Sequence, residues 1–228
     1  SFHEEERVSA KHRATLADYR GSGYDRGHMA PNADMPTKAA QFDSFSLANM
    51  VPQAPKNNQQ VWRELEEATR AIVTKQKQDV YVITGPVFAG KKLKTIGNGV
   101  IVPTAVYKAV YMPKTGAIGA YYAPNDNSLK VRIVSVCYLE EQLGINLFPQ
   151  LTEEQKRNTY RLPLTAKAVK ANQKIEYSNW DAESQCAEDV SKENLQALQR
   201  QFKSASSGST LPAAGSAMDS ATQETIVK

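Results

Sequence analysis

The chain has 228 residues, of which 41% are hydrophobic and 23% charged, a balance that belongs to folded globular chains and excludes wholesale disorder. Its formal charge of +4 suits a polyanionic partner without requiring one. No apolar run approaches the roughly 18–20 residues that cross a bilayer, so no membrane partner is expected, and two cysteines are too few for a disulfide framework or a zinc site.

Residues 1–10, SFHEEERVSA, lack the apolar core of a signal peptide. A secreted or periplasmic location is therefore favoured only if a leader has been removed. The first forty residues are polar and turn-rich. Gly21 and Gly23 lead into YDRGHMAP at 24–31, where a loop is expected to deliver the motif to a strand. That motif sets Asp25, Arg26 and His28 within four residues, and His28 is one of only three histidines beside His3 and His12. A neutral imidazole is suited to take a proton from water near neutral pH, and an arginine to hold a phosphate.

Residues 45–51 (FSLANMV) read as a second strand, broken by Pro52 and Pro55. From Asn58 the pattern turns helical, with Val61, Leu65, Ala68 and Ile72 at three- and four-residue spacings and Asn57 or Asn58 placed as an N-cap. Asn58, Trp62, Glu66 and Arg70 fall along one side of that helix. Strands are predicted over 79–84, 99–111 (with an internal Pro103), 118–123 and 130–136, and short helices over 139–143, 152–160 and 189–202. The last segment, 204–228, reads as a disordered tail. Two strands, a helix, then a mainly antiparallel sheet with helices argue for an α+β domain. Cys137 and Cys186 are compatible with one bridge or with a buried free pair.

Phosphodiester hydrolysis needs a base for water, positive charge for phosphorus, stabilisation of the leaving oxygen and a grip on the flanking phosphates. His28 and Arg26 offer the first two. Asn58 or Glu66 offers oxygen for Mg²⁺, and a neutral amide oxygen binds the ion without cancelling its charge.

YDRGHMAP, SLANMVPQ at 46–53 and NNQQVWRELE at 57–66 together resemble the DNA/RNA non-specific endonuclease family. HRATLADYRGSG at 12–23, VYVITGPVF at 80–88 and LEEQLGINLFP at 139–149 extend the likeness to residues 1–165, with a C-terminal extension over 166–203 and the tail beyond. The resemblance implies a ββα-metal nuclease fold with a mainly antiparallel central sheet flanked by helices. It implies a Mg²⁺-dependent enzyme, with Mn²⁺ as a substitute, that cuts DNA and RNA to 5′-phosphate ends, and it allows a homodimer. It casts His28 as general base, Asn58 as the direct metal ligand, Glu66 and Asp25 as supports of the ion's water, and Asn49 as a brace whose backbone carbonyl fixes the His28 ring. Arg26 and Arg70 would stabilise phosphate charge. Family members usually carry further residues ahead of the point where this chain begins, often with another substrate-binding arginine, for which Arg7 and Arg13 are the nearby candidates. An inactive relative that binds nucleic acid or a protein partner without cutting is the alternative.

Plainer readings compete at several positions. Glu66 and Arg70 also fit a surface helix pair. Trp62 reads as core, Lys91, Lys92 and Lys94 as a solvated turn, and Tyr107, Tyr111, Tyr121 and Tyr122 as sheet residues.

Overall fold

A computed structural model describes residues 1–188, Gln196, Arg200 and the strand Gln223–Val227, with only the backbone described for Asn32, Asp43 and that strand. The first helical turn, α1 (Leu16–Tyr19), opens at Thr15. The Thr15 hydroxyl accepts from the Asp18 N–H while the Asp18 carboxylate accepts from the Thr15 N–H. Next come β1 (Asp25–His28), α2 (Lys38–Ser44) and β2 (Met50–Gln53). β1 and β2 pair antiparallel, with His28 opposite Met50 and Gly27 opposite Val51. The strand expected at 45–51 is thus displaced. Leu47–Asn49 forms a 3₁₀ turn capped by the Ser46 hydroxyl, and pairing starts only at Met50.

A π-helical turn, Asn57–Trp62, runs into α3 (Arg63–Gln76). Leu65, Ala68, Ile72 and Trp62 are buried, as the periodicity requires. The expected N-cap is absent at both asparagines. Asn57 is buried, accepting from Gln53 and donating to the Pro124 carbonyl. Asn125 and Asn127 accept instead from the Ala54 and Lys56 N–H groups, so a distant loop satisfies the orphan donors where the helix begins.

The remaining elements are β3 (Val80–Val87), β4 (Thr95–Ile96), β5 (Val100–Ile101), β6 (Ala105–Met112), β7 (Ala117–Pro124), β8 (Arg132–Val134), α4 (Val136–Leu143), α5 (Glu153–Arg157), β9 (Asn158–Tyr160), β10 (Tyr177–Trp180) and β11 (Gln223–Val227). The main sheet has the order β11-β3-β6-β7-β8, antiparallel throughout. The single strand expected over 99–111 is split, since Pro103 has no N–H to give to a ladder. Strand alternation divides the sheet between two cores. Val106, Val110 and Met112 pack on the α3 side, and Ala105, Tyr107 and Ala109 on the α4 side. This is the α+β architecture expected from the sequence.

Cys137 and Cys186 form a disulfide, which ties the start of α4 to the segment beyond β10. Asp181 in that segment accepts from the Ser135 hydroxyl at 2.6 Å, and Arg157 donates to the Asp181 and Ser184 carbonyls. A buried ion pair, Lys156–Glu140 at 3.0 Å, lies close by, with Glu140 also accepting from the Ala187 N–H. The helix expected over 189–202 lies outside the described residues apart from Gln196 and Arg200. Within the expected tail, Gln223–Val227 forms β11 on the edge of β3, and the rest lies outside the described residues.

Candidate active site

The site grows from the β1–β2 ribbon. Alternation sends Arg26 and His28 to one face of β1 and Asp25 and Gly27 to the other. Glycine is required at 27, because a Cβ there would lie 2.0 Å from Gln53 Oε1. With no side chain in its way, Gln53 crosses the backbone of β1 and donates to Asn57 at 2.5 Å.

Asp25 reaches the helix. Its Oδ2 accepts from Asn58 Nδ2 at 2.9 Å and from Gln59 Nε2 at 2.8 Å. With the amide nitrogen committed to Asp25, Asn58 Oδ1 is the atom left to face a cation. A cavity of about 510 Å³ opens here, lined by Phe2, Arg20, Tyr24, Asp25, Arg26 and Asn58 among others. Gln59 and Arg20 were not singled out from sequence, although each neighbours a motif residue. A second cavity of about 460 Å³, between the N-terminal segment and β5, contains none of the expected site residues.

His28 sits among aromatic rings, 4.8 Å from Phe45 and 5.6 Å from Phe2 by ring centroids. Phe2 also lies under the Arg26 guanidinium at 3.9 Å. Backbone bonds from His3 to Phe45 and from Leu47 to His3 hold the N-terminal segment in place over the ribbon. His28 Nε2 is buried with no hydrogen-bond partner, and burial lowers the imidazole to about 4. The ring is therefore neutral at physiological pH. Among the described residues no hydrogen bond joins His28 to Asn58 or Asn49. The Asn49 carbonyl accepts from the Met29 N–H, while its side chain clamps Ala30 at both backbone atoms and donates to the Ser44 carbonyl. Its observed bonds thus brace the chain following His28, where the sequence reading placed them on the ring.

Farther along the helix lie Glu66 and Arg70. In a regular α-helix, side chains eight apart differ by about 80° around the axis. The π-helical turn has more residues per turn, which reduces that drift between Asn58 and Glu66. Burial pushes Glu66 up to about 7, opposed most by Lys108. Arg70 Nε bonds Asp34 at 2.6 Å, with Asp34 nearly buried, so the ion pair observed there is to the loop after β1 and not to Glu66. Because Nε makes that bond, both terminal nitrogens of Arg70 remain for another anion.

Arg7 pairs with Glu5 and Arg13 donates to the Val8 carbonyl. Lys91, Lys92 and Lys94 are exposed, as a solvated turn requires, and Tyr107 and Tyr121 are buried in the sheet.

No group of three or more His, Cys, Asp or Glu is gathered among the described residues to cage a metal. One amide oxygen fixed by a carboxylate at a cavity wall suits a small, hard divalent cation that keeps most of its own water.

A model of the DNA/RNA non-specific endonuclease family matches residues 1–154. Mitochondrial endonuclease G of Bos taurus is 38% identical over 169 residues, covering 66% of this chain and 56% of that protein. Nuclease C1 of Cunninghamella echinulata var. echinulata is 37% identical over 172 residues, covering 66% and 67%. A nuclease of Nostoc sp. is 35% identical over 157 residues, covering 61% and 56%. The chain spans little more than half the length of the first and last of these. Among solved structures, a chain of an EndoG/EndoGI complex superposes with a TM-score of 0.60 at 30% identity, covering 68% of this chain and 71% of that one.

Proposed function

Because the chain belongs to the DNA/RNA non-specific endonuclease family, we propose that it is a Mg²⁺-dependent endonuclease hydrolysing phosphodiester bonds of DNA and RNA to 5′-phosphate ends. The observation that carries this reading is the Asp25–Asn58 bond at the wall of a cavity shared with Arg26.

Asn58 Oδ1 would hold the ion directly, and Glu66 would orient water around it. Bound there, Mg²⁺ would polarise the phosphoryl oxygens and stabilise the leaving oxygen. Arg26 and Arg20 would meet the phosphates from the cavity wall, and Arg70, steadied by Asp34, would add a further contact. His28 would take the proton of the attacking water at Nε2, the atom that no protein group occupies. Its low proton affinity belongs to the empty, dry site. A phosphate arriving beside the ring favours the imidazolium and so raises that affinity when the base is needed. Backbone contact dominates this arrangement, which accounts for indifference to sequence and sugar and predicts strong salt dependence.

The test is incubation of the purified chain with supercoiled plasmid and with RNA, in Mg²⁺ or in chelator, beside His28→Ala. Metal-dependent cleavage of both substrates, lost in the variant, supports the reading. Binding without cleavage identifies an inactive relative instead, and equal cleavage by His28→Ala removes the base.

A further inference from the structure

Lys108 has no use in the chemistry above, yet its position is unusual. It stands in the middle of β6 at 1% exposure, in a strand otherwise built of Ala, Val, Tyr and Met. Its register partners are Thr84 on β3 and Tyr121 on β7, and its side chain shares the α3-facing side with Val106 and Val110. Nζ donates to Thr84 Oγ1 at 3.0 Å and lies 5.4 Å from the centre of the Trp62 ring. Neither of these partners is an anion, and no carboxylate lies within ion-pair distance of Lys108 among the described residues. A hydroxyl and a ring are poor compensation for taking an ammonium out of water, and a methionine would fill the slot without that cost.

The helix face above this charge carries the site. Trp62 is one turn after Asn58 and one turn before Glu66, so the ammonium lies behind the stretch that presents both. We propose that Lys108 is a positioning residue whose buried charge, set beneath Trp62, keeps Glu66 a carboxylate directed at the Asn58 end of the cavity. This rests on the role given to Glu66 in the proposed function. The electrostatics agree with the geometry. Lys108 is the strongest charge opposing the effect of burial on Glu66, and Glu66 is the strongest charge opposing the effect of burial on Lys108. The other groups facing Glu66 are Asp34 from the loop after β1 and Arg70 and Glu67 from α3 itself. The two acids raise it and Arg70 lowers it, so Lys108 is the main counterweight.

A double-mutant cycle on the full chain separates this role from simple packing, read as plasmid nicking in saturating Mg²⁺ with folding checked by circular dichroism. Lys108→Met is expected to lower kcat roughly 10- to 100-fold, the usual effect of removing a group that orients a metal site from behind. In a Glu66→Gln background the same substitution should cost less than about twofold more, because the two act as one unit. Equal losses in both backgrounds, or no loss in either, overturn the proposal. A second readout needs neither activity nor metal. In the metal-free protein the Glu66 carboxyl, followed by NMR, should titrate above its starting value of about 7 once Lys108 is replaced, and an unmoved titration overturns the proposal. That measurement stands even if the unsubstituted chain fails to nick, an outcome that sinks the nuclease reading alone. Should Lys108→Met fail to fold, Thr84→Val releases the ammonium from its hydroxyl partner. A Glu66-dependent loss in that variant supports the proposal, and a loss independent of Glu66 overturns it.

Discussion

Asp25 Oδ2 and Asn58 Nδ2 meet at 2.9 Å across 33 positions of sequence, joining the first strand of the ribbon to the start of the helix. The bond selects which end of the Asn58 amide faces the cavity. Without Asp25 the amide is free to turn, and its nitrogen repels a cation where its oxygen attracted one. Asp25→Ala is therefore expected to raise the Mg²⁺ concentration for half-maximal nicking roughly 10- to 100-fold. Nicking rate against Mg²⁺ measures it. An unchanged midpoint would detach Asp25 from the metal end of the site.

His28 and Glu66 are both shifted by burial, in opposite directions, to about 4 and about 7. A base must be neutral, and His28 is neutral everywhere above about 4. Glu66 must be charged, which in the metal-free protein requires the pH to rise through about 7. The acid limb of the activity profile should therefore belong to Glu66, and a nearby divalent cation moves it lower. In Glu66→Gln the residual activity should lose this limb, and a limb that persists assigns it elsewhere. The same shift has a stability sign. The folded value lies above the ordinary 4.5, so this group's contribution is full below 4.5 and is lost as pH rises through about 7.

Phe2 and Phe45 keep the His28 ring dry. Phe2→Ala exposes one side of it, so the imidazole should titrate above about 4, towards its ordinary 6.5. NMR titration of the histidine ring protons checks this. A value that stays put would mean that Phe45 and the ribbon alone desolvate the ring.

Gly27→Ala drives a methyl group into Gln53, with its Cβ 2.7 Å from the Gln53 Cβ and closer still to Oε1. Gln53 must swing away, breaking its bond to Asn57 immediately beside Asn58. A loss of about 1–3 kcal/mol in urea unfolding is expected, the usual range for overpacking, together with reduced nicking. Wild-type stability would show that the ribbon can open at no cost.

The Cys137–Cys186 bridge closes a separation of 49 residues on the α4 side of the sheet, opposite the helix that carries Asn58. Reduction should lower stability by about 2–4 kcal/mol, or ~5–15 °C in Tm. Nicking at low temperature should survive reduction, since Asp181, Arg157 and the Lys156–Glu140 pair still hold the clasp. Activity lost in parallel with the bridge would link the two faces of the sheet.

The DRGH motif and the helix bearing Asn58 and Glu66 were legible because each lies within one local run, where spacing alone puts side chains on a shared face. The displaced strand at Met50 was not. FSLANMV is apolar throughout, and nothing in it distinguishes a capped 3₁₀ turn from a strand until Ser46 finds its partner. The missing N-cap at Asn57 has a similar cause, since the loop that replaces it comes from Asn125 and Asn127, about seventy residues later. Lys108 did leave a sequence trace, a lone charge in an apolar strand, but its direction needed the register.

Sequence by itself determined the chemistry on offer: a histidine, two arginines and a neutral oxygen donor in a recognisable order, and a chain rich enough in β-branched residues to build the sheet behind them. Tertiary structure alone decided how those groups are aimed. Asp25 turns the Asn58 amide, Asp34 holds Arg70 by one nitrogen, Phe2 and Phe45 dry His28, and Lys108 sits beneath Trp62. Spacing reveals neighbours one turn or one strand away. Burial and charge act through space, so what tunes a group is set by chain segments that sequence order keeps far apart.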